Sequence, residues 1–342
     1  MRAGLDGIAL ADLDAAIARV EAPLRDLDGA TLFVTGGTGF FGRWLTALLL
    51  RARQHLDLDL SLTVLSRDPA RFAAAYPALA RGLHLVPGDV RDFPFPAGRF
   101  THCVHAATDT VSPDEAVLEQ VGAIVDGTRR VLAFAAEAGV GRLLYVSSGA
   151  IYGRQPADLP AIPETYPGAS DPLDPRAAYG QAKRLGEQFC AIAQARGALD
   201  MVVARAFAFV GPGLPLDAHF AIGNFIRDAL AGRPIVVAGD GRPLRSYLYA
   251  GDLAAWLVAL LARGRAGEAY NVGSDRAIDI AGLARLVGTI IPSAGVEIRG
   301  QVVGDPARQL YVPSIDKARR ELDLDAWTPL ETAIARTAAA VT

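Results

Sequence analysis

Thr31-Leu-Phe-Val-Thr-Gly-Gly-Thr-Gly-Phe-Phe-Gly42 is a short apolar β run that breaks at a pair of glycines and leads into the helical pattern of Arg43–Gln54. Gly37, Gly39 and Gly42 satisfy GxGxxG, and Gly36, Gly39 and Gly42 satisfy the related TGxxGxxG. Such a turn wants glycine because it is tight and because a pyrophosphate must reach the backbone with no Cβ in the way. The helix that follows offers its unpaired N–H groups and positive dipole end to that anion. Gly36, Gly39, Phe40, Phe41 and Gly42 are the expected contacts. The motif alone is weak, but between a strand and a helix at the start of an alternating fold it is strong.

The alternation extends outward from this loop. Strands are expected at Leu60–Leu65, Leu83–Val86, Phe100–His105, Arg142–Ser147 and Met201–Ala206, with helices near 69–80, 115–138 and 177–196. Strands separated by helices mean a parallel sheet covered on both faces, so the fold class is α/β and doubly wound. Ahead of the first strand, Ile8, Leu13, Ile17, Val20, Leu24 and Leu27 predict a leader helix over 8–27, broken near Pro23. Residues 153–176, rich in proline and acids, read as a surface loop over a pocket. Beyond Phe207, prolines and glycines interrupt shorter elements.

The chain has 342 residues, 51% of them apolar and 21% charged, with a formal net charge of -3. It can bury a large core without a disulfide or metal staple. No basic run suggests nucleic-acid binding. Cys103 and Cys190 lie far apart with no metal-ligand spacing, which fits a reducing, cytoplasmic setting. Asp6, Asp12 and Asp14 interrupt what a secretory leader would need, and runs such as Leu253–Ala262 are too short to span a bilayer, so no membrane partner is expected.

The cofactor is read at the end of the second strand, where Leu65-Ser66-Arg67-Asp68 stands. A dinucleotide lacking the 2′-phosphate usually meets an acid there. Here Ser66 takes that place and Arg67 could pair with a 2′-phosphate, which favours NADP(H) and leaves NAD(H) possible. Alternatively, Arg67 is a solvated loop residue and Asp68 caps the helix before Pro69. Asp89, with Val90 beside it, could face the adenine amino group or simply make a turn. Ala106 and Ala107 are small enough for the dinucleotide to lie against their backbone, while His105 reads as a packed structural residue.

Tyr179-Gly-Gln-Ala-Lys183 opens the helix 177–196, and its i, i+4 spacing puts Tyr179 and Lys183 on one face. A phenol with a pKa of ~10 is a poor base at neutral pH. An ammonium one turn away, together with a positive nicotinamide ring, would stabilise the phenolate and make Tyr179 a general acid/base for alcohol–ketone interconversion. Lys183 could also hold the nicotinamide ribose hydroxyls.

With Ser147-Ser-Gly-Ala-Ile-Tyr-Gly153, Arg205-Ala-Phe-Ala-Phe-Val-Gly-Pro212, Gly239–Asp252, Tyr270-Asn-Val-Gly273 and Trp327-Thr-Pro329, the chain resembles the extended short-chain dehydrogenase/reductases. Within them it is similar to the NAD-dependent epimerase/dehydratase branch, which acts on nucleotide sugars. The resemblance covers about residues 30–335. It implies a Rossmann-type sheet with a smaller, interleaved C-terminal substrate domain. Residues 1–28 would then be a helical extension, 29–205 plus about 247–274 the dinucleotide-binding domain, and 206–246 with 275–342 the substrate domain. It also implies Ser148 as a catalytic and substrate-binding hydroxyl, and Arg245 as a grip on the sugar-nucleotide pyrophosphate. Asn224 is an even choice between a substrate contact and a turn residue. Arg308 is a further guanidinium for the pyrophosphate, and His219 a surface or lid residue. A homodimer through helices 115–138 and 177–196 is the implied partner.

Departures from the family choose among its reactions. Its 4,6-dehydratases follow the catalytic Thr with Asp-Glu, and its decarboxylases usually keep a Glu. This chain has Gly149-Ala150, which can do neither unless a carboxylate such as Glu164 substitutes. The expectation is NAD(P)-dependent C4 epimerisation of a nucleoside-diphosphate hexose by transient hydride transfer. An NADPH-dependent 4-keto-sugar reductase is the alternative, followed by a 4,6-dehydratase and, last, a non-catalytic dinucleotide-binding protein.

Overall fold

Seven parallel strands form the central sheet: β1 Thr31–Thr35, β2 Ser61–Ser66, β3 His84–Pro87, β4 His102–His105, β5 Arg142–Ser148, β6 Asp200–Ala206 and β7 Glu268–Val272, in the order β7-β6-β5-β4-β1-β2-β3. The computed structural model describes residues 4–108, 116–197, 199–218, 220–301 and 309–341. Arg308 and His219 lie outside them. Strand order reverses at β1, whose two neighbours are β4 and β2, so a crevice opens between the C-terminal ends of β1 and β4.

Alternation along each strand feeds two cores. Leu32, Val34, Leu144, Val146, Val202 and Ala204 face one side with Trp44, Leu48 and Trp256. Phe33, Cys103, Leu143, Tyr145, Met201 and Val203 face the other with Val131, Phe134 and Cys190. The first face is covered by helices α1 (Phe40–His55) and α4 (Ala250–Arg263), the second by α2 (Val117–Ala138) and α3 (Ala178–Ala195). A helix apolar all round must be buried all round. That accounts for the Leu253–Ala262 run: α4 lies between the sheet and the N-terminal helices Leu10–Arg19 and Glu21–Arg25. No described helix is long and apolar enough to cross a membrane.

Several sequence expectations shift. The leader is a short hairpin, Gly4–Leu5 against Ile8–Ala9, followed by two helices that break at Val20. Pro23 sits inside the first turn of the second helix, where its missing N–H is no loss. Helix 69–80 divides at Tyr76, because the residue before Pro77 is pushed out of helical geometry. Helix α1 begins at Phe40, since the last turn of the glycine loop is already helical. Nor is the 153–176 segment only a surface loop. Ile162 is fully buried, its N–H donates to the Val312 carbonyl at 2.9 Å, and Ser314 N–H donates back to its carbonyl at 2.8 Å.

After β6 the chain builds small sheets. Phe209–Val210 pairs with Leu248–Tyr249, and Ile235–Val237 with Val296–Ile298. Leu244–Arg245 lies between Ile278–Asp279 and Leu310–Tyr311. They sit beside the C-terminal ends of β5 and β6: the Phe207 ring, just past β6, is 4.7 Å from that of Tyr311.

Candidate active site

Gly36 has φ +74, and a Cβ there would come 2.5 Å from the Ala106 carbonyl group, so β1 and β4 can close on each other only over a glycine. Gly42 would drive a Cβ into the Gly36–Gly37 backbone. Gly39, the residue before α1, has open space apart from the Gly36 oxygen at 3.4 Å. The first turn of α1 carries no acid. An open backbone face in front of an anion-favouring helix end fits a pyrophosphate. Phe40 and Phe41 bring N–H groups to that turn, while the Phe41 ring packs edge-on to Phe209 at 4.7 Å.

The floor of the crevice is held by a directional chain. Thr128 Oγ1 donates to the Ile124 carbonyl at 2.6 Å, so it must accept from His105 Nε2 at 3.1 Å. His105 Nδ1 then accepts from Thr35 Oγ1 at 2.7 Å, and Thr35 Oγ1 accepts from Ala107 N–H at 3.3 Å. Burial, with the Lys183 charge adding to it, lowers the His105 pKa to about 3, which keeps the imidazole neutral as this chain requires. Ala106 and Ala107 are thereby fixed as the crevice floor.

At the ribose end, Ser66 is buried and its Oγ accepts from Asp68 N–H at 3.3 Å, while exposed Arg67 turns outward. Asp68 accepts from Arg71 N–H at 2.9 Å and caps the helix that follows. Asp89 is a turn residue clamped by Arg91, whose hydrogen bonds hold its carboxyl below the usual range. Val90 packs against α2 where Gly127 leaves room for it.

The structure brings Ser148, Tyr179 and Lys183 together at the ends of β5 and α3. Ser148, 7% exposed, accepts from Ala150 N–H at 3.1 Å. Burial raises the Tyr179 phenol's pKa, and hydrogen bonding from Ser148 and Thr108 opposes it. Lys183 is almost wholly buried, its Nζ donates to the Val146 carbonyl at 2.9 Å, and burial pulls it down to about 7. Behind them stands a polar lattice that motif reading left unassigned. Ser147 Oγ donates to Glu187 at 2.5 Å, and Glu187 pairs with Arg205 at 2.8 Å. Arg205 also donates to Tyr152 Oη at 2.8 Å, and Tyr152 Oη to Asn271 Oδ1 at 2.8 Å. Glu187, four residues beyond Lys183 on the same helix face, was the available signal.

Glu164 is held against β7. Its Oε1 accepts from Asn271 N–H at 2.9 Å, and it lines a cavity of about 270 Å³ with Arg184, Glu187 and Arg205. Arg245 is half-buried and donates to the Leu244 carbonyl at 2.8 Å and to that of Gln309 at 3.3 Å. Asn224 sits in the helix Ala221–Leu230 and accepts from Arg227 at 3.3 Å. Thr108 and Tyr311 were missed. Thr108 Oγ1 is buried without a full hydrogen bond among the described residues, close to Tyr179.

UDP-glucuronic acid decarboxylase 1 of Xenopus tropicalis is 28% identical over 319 residues, covering 92% of this chain and 72% of that protein. Among solved structures, dTDP-glucose 4,6-dehydratase from Streptomyces venezuelae with NAD bound is 25% identical, with a TM-score of 0.74 and coverage of 91% and 96%. UDP-glucose 4-epimerase from Thermotoga maritima with UDP-glucose is 19% identical, with a TM-score of 0.75 and coverage of 91% and 98%. The sequence pattern of one family spans the glycine loop, β1 to β7 and the Tyr–Lys helix, matching residues 32–273. The chain belongs to the NAD dependent epimerase/dehydratase family.

Proposed function

We propose that this chain is a nucleotide-sugar epimerase that works by transient hydride transfer at C4 of a nucleoside-diphosphate hexose. One observation carries the choice of reaction: the groups around Ser148 and Tyr179 are hydroxyls and a lysine, and positions 149 and 150 hold no carboxylate. Eliminating water across C5 and C6 needs a base beyond the one that takes the 4-hydroxyl proton. Decarboxylases of this family usually keep a Glu after the catalytic hydroxyl, and that carboxylate is absent here.

A bound nicotinamide supplies one thing, a reversible acceptor for the C4 hydride. The remaining work belongs to the chain. Tyr179, as phenolate, removes the proton of the 4-hydroxyl, and Ser148 donates a hydrogen bond to the same oxygen as it becomes a ketone. Lys183 holds positive charge beside the phenolate, and burial strengthens that attraction. Tyr179 returns the proton once the sugar presents its other face. Gly36, Gly39, Phe40, Phe41 and Gly42 would hold the pyrophosphate of the cofactor and Ala106–Ala107 its inner face. Arg245, and Arg308 in the undescribed segment, would hold that of the substrate, with Asn224 beside it. This divides the chain near residue 206, with about 247–274 returning to the cofactor side.

We assign the cofactor as NADP(H), because Asp68 and Asp89 are engaged with Arg71 N–H and Arg91 and no other acid stands at the end of β2. Ser66 and Arg67 also favour a second reading, NADPH-dependent reduction of a 4-keto sugar, since net reduction draws on the reduced pool. Purified protein incubated with UDP-, dTDP- and GDP-hexoses, with and without NADPH, separates the two. C4 epimers without net cofactor consumption support the epimerase. Stoichiometric NADPH oxidation with a 4-keto sugar replaces it by the reductase, and release of CO2 from UDP-glucuronate refutes both.

A further inference from the structure

Two side chains of α3 grip one stretch of β5. Lys183 Nζ donates to the Val146 carbonyl at 2.9 Å, and Glu187 Oε1 accepts from Ser147 Oγ at 2.5 Å. That carbonyl is bonded to the Ser147 nitrogen, so an ammonium and a carboxylate flank a single residue of chain directly before Ser148. Their i, i+4 spacing brings them together on the helix as well. Arg205 holds the carboxylate in place, its Nη2 donating to Oε2 at 2.8 Å and its Nε to Oε1 at 3.1 Å. Arg205 Nη1 is fixed in turn by Tyr152 Oη at 2.8 Å and the Glu164 carbonyl at 3.0 Å. The other titratable groups around the lysine are neutral at neutral pH. On β4, burial lowers His105 to about 3, and on β5 and α3 it raises the Tyr145 phenol and the Cys190 thiol. Tyr179, likewise raised by burial, is the phenol that the lysine serves. Beyond Ser148, burial also raises Tyr311, whose Oη lies 2.7 Å from where a Cβ on Gly149 would stand. Among the described residues facing Lys183, Glu187 alone brings a full negative charge. Arg205 opposes that charge from β6, and Glu164 and Arg184 line the cavity on its outer side.

We propose that Glu187 is a positioning residue: its carboxylate, pinned against β5 by Ser147, keeps the buried Lys183 side chain an ammonium and so keeps a positive charge beside Tyr179. Its part in turnover rests on the nucleotide-sugar reading above. A buried cation without a counter-charge gives up its proton. The Val146 bond does not prevent this, because a neutral amine donates to a carbonyl as an ammonium does. A carboxylate discriminates between the two, since it attracts only the charged form. Arg205 weakens that field without cancelling it. Glu187 shares a helix face with Lys183, whereas the guanidinium approaches from the next strand, and it is the carboxylate whose field reaches the lysine.

The chain has two lysines, Lys183 and Lys317. Protein labelled with 13C at lysine Cε therefore gives two side-chain signals, which Lys183→Met assigns, and Lys183 is titrated directly without substrate. Glu187→Gln removes the charge and keeps an acceptor for Ser147. Its Lys183 midpoint should fall by about one pH unit, the size of one nearby charge partly offset by a guanidinium. On whichever nucleotide hexose wild type converts fastest, the kcat profile should move to lower pH by a similar amount. At pH 8 kcat should then be down about tenfold, with KM within about threefold. Glu187→Gln combined with Arg205→Gln leaves no bare guanidinium and repeats the measurement if the single variant does not fold, with the same direction expected. A Lys183 midpoint that rises, or stays within about 0.3 unit of wild type, overturns the proposal. A shifted midpoint with an unshifted kcat profile overturns it too, leaving Glu187 a structural residue alone. Wild-type protein that converts no nucleotide sugar overturns the functional reading and the part of Glu187 in turnover, while the titration still reads whether Glu187 holds the charge.

Discussion

Lys183 reaches back from α3 to donate its ammonium proton to the Val146 carbonyl, two residues before Ser148, at 2.9 Å. The lysine is 2% exposed, and its Nζ stands 5.3 Å from the centre of the Tyr145 ring. That environment drives its pKa down to about 7, because burial outweighs the favourable fields of Cys190 and Glu187. The charge that would steady a Tyr179 phenolate is held at a cost to the fold.

The sign of that cost follows from linkage. Unfolded lysine titrates near ~10.4, so between about pH 7 and that value the unfolded chain binds the extra proton and stability rises with pH. Below pH 7 the full penalty is present. Lys183→Met should stabilise the protein at pH 6.5 by roughly 1–3 kcal/mol, with the gain fading toward pH 10. Thermal unfolding of both proteins across that range checks this, and a gain that grows with pH contradicts it.

Tyr179→Phe removes the proton carrier while leaving the ring that packs at the start of α3. Turnover should fall by about 10²–10⁴, the usual contribution of a positioned acid/base, with dinucleotide affinity within a few-fold. Steady-state kinetics and fluorescence titration of the cofactor measure the two separately. A fully active variant ends the assignment.

Fold and glycine loop were legible because they rest on local rules. Glycines mark where a Cβ would strike Ala106, and the 2.0 and 3.6 periodicities mark what the sheet and helices bury. Tyr179 and Lys183 were legible because i, i+4 spacing is itself geometry. Tyr311 was not, since it stands 163 positions after Ser148 and arrives through a two-residue strand whose pairing no periodicity announces. The lattice of Glu187, Arg205, Tyr152 and Asn271 was hidden likewise: Tyr152, Arg205 and Asn271 each stood inside a motif and Glu187 one turn past one, but their meeting depends on how α3, β6 and β7 converge.

At the ribose end of the cofactor cleft, Arg67→Asp tests the preference for NADP(H). An acid there repels a 2′-phosphate and accepts from a 2′-hydroxyl. The ratio of kcat/KM for NADP over NAD should fall by about tenfold or more, one charge reversal being worth a kcal/mol or two at a partly exposed site. Wild-type protein that binds NAD tightly and NADP negligibly contradicts the assignment before any variant is made.

Leu118 on α2 is 85% exposed, and on α3 Leu185 is 41% and Ile192 40% exposed. Two helices lying side by side with outward apolar residues suit pairing across a two-fold axis. Sedimentation at micromolar concentration should give a dimer, and Leu185→Asp combined with Ile192→Asp a monomer that still binds cofactor. A monomeric wild type refutes the pairing.

His105 gives the last test, because its chain of bonds needs the neutral ring. Its pKa of about 3 lies well below the ~6.5 of an unfolded histidine, so between those values the unfolded state takes up a proton that the folded state refuses. Stability should therefore fall as pH drops from 6.5, by up to about 1.4 kcal/mol per pH unit from this group alone. Lys183 and Tyr145 face the ring and contribute no negative charge to rescue an imidazolium. His105→Gln removes the titration and replaces the packed ring by a flexible amide that does not hold Thr35 and Thr128 at the ring's fixed spacing. The variant should be less stable than wild type at pH 7.5 and should lose less on going to pH 5. Its dinucleotide affinity should weaken, since Thr35 and Ala107 would no longer be held in register beneath the cofactor. Chemical denaturation at both pH values, with cofactor titration at pH 7.5, decides it: parallel pH slopes for the two proteins would show that His105 is not the neutral link between β1 and α2.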